Sequence, residues 1–70
     1  MPVHLNASLH LSGGRKVPAV ISDLSSDGCK ISIRQMLEVG EMVELIVPGR
    51  DSFRARIRWA TVKCAGLLFI

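Results

Sequence analysis

Tyrosine is absent from this sequence, tryptophan occurs once and phenylalanine twice. So few rings work against a surface that stacks the bases of single-stranded nucleic acid. Cysteine is scarce as well. Cys29 and Cys64 are too few for a disulfide scaffold and lack the clustered Cys/His spacing of a zinc site. They read as two small apolar residues buried in a reducing cytosol. No long hydrophobic run occurs: Ala65 to Ile70 falls far short of the ~18 residues that span a bilayer. The first residues carry neither a basic start nor an apolar block, so no secretory signal is read. The expectation is a soluble, cytoplasmic chain with no membrane insertion. Nine basic residues against six acidic leave a net charge of +3. That excess permits an anionic partner without demanding one.

Catalytic equipment is missing too. His4 and His10 stand about 20 Å apart on an extended strand, so they share no metal. No acid–base pair is set to activate a serine. Ser12-Gly13-Gly14-Arg15 lacks the spacing of a phosphate-binding loop. The carboxylates Asp23, Asp27, Glu38, Glu41, Glu44 and Asp51 are scattered. No enzyme, metal site or cofactor is expected.

What is present is alternation. Val3, Leu5, Ala7, Leu9 and Leu11 interleave with His4, Asn6, Ser8, His10 and Ser12, which predicts a strand with one buried face. Gly13-Gly14 allows a tight reversal. A second strand is expected over Lys16 to Ser22, with Pro18 at an edge or a bulge. After the turn at 23–28, Cys29, Ile31 and Ile33 face in. Gln35 to Val39 suggests a short helical turn. Met42 to Val47, Phe53 to Trp59 and Cys64 to Ile70 complete six strands. In the fifth, Phe53 and Trp59 share the apolar face with Ala55 and Ile57 and are expected in the core. Leu67 to Ile70 is apolar on both faces, so both should be covered. The fold class is therefore all-β, a small antiparallel barrel or sandwich forming a single domain over residues 1–70. A chain this short buries only about 60% of its unfolded surface, so its stability margin is thin.

Two features could bind. Arg54, Arg56 and Arg58 form a stripe spaced by about 7 Å that could line phosphates, or could be the solvated outer face that alternation requires. In Asp23-Leu24-Ser25-Ser26-Asp27-Gly28, Asp23 and Ser25 can hydrogen-bond their own backbone. Gly28 supplies a conformation that a Cβ would penalise.

This turn, followed by Cys29-Lys30-Ile31, resembles the [Asp/Asn]-x-Ser-x-x-Gly motif of the PilZ domain family. Leu37-Glu38-Val39-Gly40-Glu41-Met42-Val43-Glu44-Leu45 is similar to the family's entry to its next strand. Arg54 to Trp59 with Ala65 to Phe69 is similar to its closing hairpin. The resemblance covers residues 3–70 and implies a six-stranded antiparallel β-barrel, in many members a bacterial receptor for cyclic di-GMP. It assigns Asp23, Ser25 and Gly28 to ligand binding. The family's Arg-x-x-x-Arg, which should lie just before Val3, matches nothing in this chain. Arg15, Arg54, Arg56 and Arg58 are the remaining candidates for phosphate contacts. Losing two arginine forks, at about 1.5–3 kcal/mol each, weakens binding by roughly two to four decades. The reading placed first is a degenerate signalling module that acts through a protein partner. The alternative is a working cyclic di-GMP receptor, and a nucleic-acid-binding barrel ranks third. Met36, Met42, Ile46 and Val20 fall off the main alternation and suit an interface, with a homodimer among the partners considered.

Overall fold

A computed structural model describes all residues, 1–70. Six strands form: β1 Pro2–His10, β2 Lys16–Leu24, β3 Gly28–Ser32, β4 Met42–Ile46, β5 Ser52–Ala60 and β6 Cys64–Phe69. They close into an antiparallel barrel in the order β1-β2-β3-β6-β5-β4, with β4 returning to β1 through Leu9 opposite Leu45. The expected all-β barrel is observed.

Closure follows from the alternation. Every second side chain points to the same side of a strand, and the inward set forms the core of the barrel. Leu9, Ile31, Leu45, Ala55 and Ala65 are wholly buried. No polar or charged residue is buried with them. Cys29 joins this core, where burial pushes its thiol pKa up to about 11. Cys64 is only partly buried, with its Sγ 3.3 Å from Thr61 Oγ1.

Pro18 sits opposite Ser8 in the β1–β2 ladder, while pairing of β2 with β3 begins only at Val20. The flank where Pro18 lacks an N–H therefore meets no neighbouring strand, which is the local edge proline tolerates.

Residues 35–39 do not form a helical turn. Five residues cannot meet the cost of helix nucleation, and the residues that follow, Gly40 and Glu41, are held to β5. Gly40, at φ 92°, donates its N–H to Ile57 O at 2.7 Å, and Ile57 N–H returns to Glu41 O at 3.0 Å. Leu37 is buried and plugs this end of the barrel. The Glu41 carboxylate accepts from Ser12 Oγ at 2.8 Å, tying the segment to the β1–β2 hairpin. The lone 3-10 turn lies in that hairpin, at Ser12–Gly14.

The last strand is not covered on both faces. Leu67 is buried, but Leu68 is 42% and Ile70 71% exposed. A closed barrel has one interior, so the second apolar face of β6 looks outward. Both chain ends lie at the pole of the 25–27 turn: Leu24 N–H bonds Met1 O, and Ile70 borders the same opening as Leu24 and Ser25. No helix is long and apolar enough to cross a membrane.

Candidate functional site

The turn between β2 and β3 is built by its own serine. Ser25 Oγ donates to Gly28 O at 3.1 Å and accepts from Gly28 N–H at 3.3 Å, while Ser25 N–H bonds Gly28 O at 2.9 Å. Phe69 N–H bonds Asp27 O at 2.7 Å and ties the turn to β6. Gly28 is required for a reason other than the one expected. Its φ is not positive. Instead its backbone lies against β6, where a Cβ would overlap the carbonyl oxygen of Leu67.

Asp23 is exposed beside the turn. The Met1 ammonium group lies 2.8 Å from its carboxylate. That hydrogen bond, then the ammonium charge, hold the Asp23 carboxyl below its ordinary pKa, with a smaller pull from Lys30.

Strand register extends the site across four strands. Asp23 pairs with Lys30, Lys30 with Gly66, and Gly66 with Trp59. These partners share the outer face. Both ends of the row carry a register shift, one between Ile21 and Asp23 and one between Ile57 and Trp59. Such bulges re-aim side chains. The second puts Trp59 outside, 39% exposed, where its indole lies over Gly66 in the space a Cβ would occupy. The expectation of a core tryptophan is thereby corrected. Phe53 is also outside the core, 40% exposed and stacked on Phe69 at 5.4 Å between centroids. Phe53 fails to reach the interior because it sits at the barrel's open end, two residues beyond buried Ala55.

The result is a shallow groove of about 380 Å³ on the barrel wall, lined by Asp23, Ser25, Gly28, Lys30, Arg58 and Trp59 among others. The arginine stripe divides. Arg58 borders this groove, Arg54 borders the barrel mouth, and Arg56 stands between Met42 and Leu68. Arg15 is not part of the group. It stands just before β2, eight residues from Asp23, about 26 Å at the rise of a strand, beside Ser12 and Glu41 at the opposite pole. No three His, Cys, Asp or Glu side chains gather closely enough to hold a metal ion.

Lys30 and Trp59 were missed in the sequence. An unbroken alternation through Phe53, Ala55, Ile57 and Trp59 hides the bulge. The available signal is Gly66, a glycine inside an apolar strand, which marks a close approach by another group. The two half-exposed rings, Phe53 and Trp59, belong to different surfaces, so they do not make a row for stacked bases.

No curated protein matches the chain. The model of the PilZ domain matches it from residue 1 to residue 70, and with the closed barrel and the turn at its rim in place, the chain belongs to the PilZ domain family.

Proposed function

We propose that this chain is a non-enzymatic cytoplasmic module of bacterial cyclic di-GMP signalling that acts through a protein partner and binds the nucleotide weakly. Membership in the family supplies the signalling context, since PilZ domains are binding modules. One observation carries the finer reading. Met42 is opposite Arg56, and Arg56 opposite Leu68, so the three share the outer face of β4, β5 and β6. Met42 is 43% and Leu68 42% exposed, with Trp59 nearby on the same wall. Apolar side chains interleaved with arginine and tryptophan are the composition of an interface centre. Titration calorimetry with cyclic di-GMP is expected to show no heat up to several hundred micromolar. Capture of a partner is expected to be lost with Leu68→Asp while the barrel stays folded. Micromolar nucleotide binding that Asp23→Ala and Ser25→Ala abolish overturns the reading.

The second reading, a working cyclic di-GMP receptor, is favoured by the groove itself. Lys30 and Arg58 offer charge and Trp59 a ring face beside the turn. The same titration decides between the two, with Trp59→Ala and Arg58→Ala as the variants that report on the groove.

A further inference from the structure

The barrel is open at the pole of the 25–27 turn. A cavity of about 630 Å³ enters it there, within the range of small-molecule sites. Its floor is the outer end of the core: Leu5, Ile21, Leu45 and Val47. Phe53 and Phe69, stacked at 5.4 Å, form one wall. The charged side chains at the rim have one sign. Arg50 and Arg54 border the cavity, and no carboxylate side chain does; Asp51, between them in sequence, is outside the lining. Ser25, Ser26 and Ser52 add hydroxyls.

We infer that this mouth binds a monomeric anionic amphiphile, an alkyl chain ending in a carboxylate or a similar head group. The chain would lie on the aliphatic floor and the Phe53 ring, gaining the free energy of removing apolar surface from water. The head group would meet the guanidinium groups of Arg50 and Arg54, which suit a planar two-oxygen anion. A neutral apolar ligand makes no use of the arginines, and a cationic one is repelled by them. The inference is independent of the groove and of whether cyclic di-GMP binds there.

The test is titration of the labelled protein with sodium decanoate below its micellar concentration, followed by amide chemical shifts. Decyltrimethylammonium, with the same chain and the opposite charge, is the comparison. Saturable shifts confined to residues around Leu5, Phe53, Phe69 and Ile70 are expected, with decanoate at least tenfold tighter than the cation. Arg50→Glu with Arg54→Glu should reverse that preference, since a charge-assisted hydrogen bond is worth roughly tenfold or more. Both arginines are exposed, so the fold survives the exchange. Equal affinity for the two head groups in the wild-type protein overturns the inference, as do shifts that spread over the surface without saturating. Sedimentation with phosphatidylglycerol vesicles, without saturable decanoate binding, overturns it in favour of a membrane surface.

Discussion

Three residues show how much turns on single atoms. Gly28 and Gly66 both lie under a neighbour, but under different kinds. At Gly28 the obstacle is the Leu67 backbone carbonyl, which cannot move without parting β3 from β6. Gly28→Ala is expected to lower stability by about 2–3 kcal/mol, read from the urea midpoint. At Gly66 the obstacle is the Trp59 ring, which can swing outward. Gly66→Ala should leave the midpoint nearly unchanged and shift the tryptophan emission to the red. Cys29 gives a pH signature. Its thiol pKa rises from an ordinary 9.0 to about 11 in the fold, because burial disfavours the thiolate. The contribution is fully present below pH ~9 and is lost as pH rises through ~11, at most on the order of 2 kcal/mol. Stability measured from pH 8 to 11 should fall more steeply for the wild-type protein than for Cys29→Ala. Gly28 was picked out in the sequence for its lack of a Cβ, but not for the right reason, because a contact across the sheet leaves no local trace.

At the scale of the element, the serine of the turn works first for the fold. Ser25→Ala removes both side-chain hydrogen bonds to Gly28. The expected loss is about 1–2 kcal/mol without any ligand, seen as an earlier midpoint in denaturant. An unchanged midpoint would free the hydroxyl for a ligand role alone. The strands themselves were legible, since alternation places Leu9, Ile31 and Ile57 inside as expected. What alternation cannot carry is an inserted residue. The bulge near Arg58 moves Trp59 to the surface and with it half of the groove. The segment 35–39 misled in another way. The residues that follow it, Gly40 and Glu41, hydrogen-bond to Ile57 in β5, a partner distant in sequence.

For the whole molecule, closure rests on the narrowest seam. β1 meets β2 over seven registered pairs but β4 over only three: Ser8 with Ile46, Leu9 with Leu45 and His10 with Glu44. Leu9 and Leu45 are both 0% exposed at the centre of that seam. Leu45→Ala is expected to cost about 2–5 kcal/mol, a large share of what a barrel this small possesses. Loss of the folded amide dispersion near room temperature is the expected result. The family was legible in the spacing of its segments, and the match over residues 1–70 bears that out. The split of the arginines between groove, mouth and outer wall was not, because equal spacing along a strand hides which rim each one reaches.

The meeting of both chain ends at one pole has a further consequence. Entry and exit lie beside each other, so a host protein can carry this barrel as an insertion without stretching its own backbone. Fused that way, the host's two connections would emerge beside the groove and the mouth. Tension on those connections would be felt first at the groove and the mouth. The Gly13-Gly14 pole, exposed and free of either chain end, would remain a passive handle.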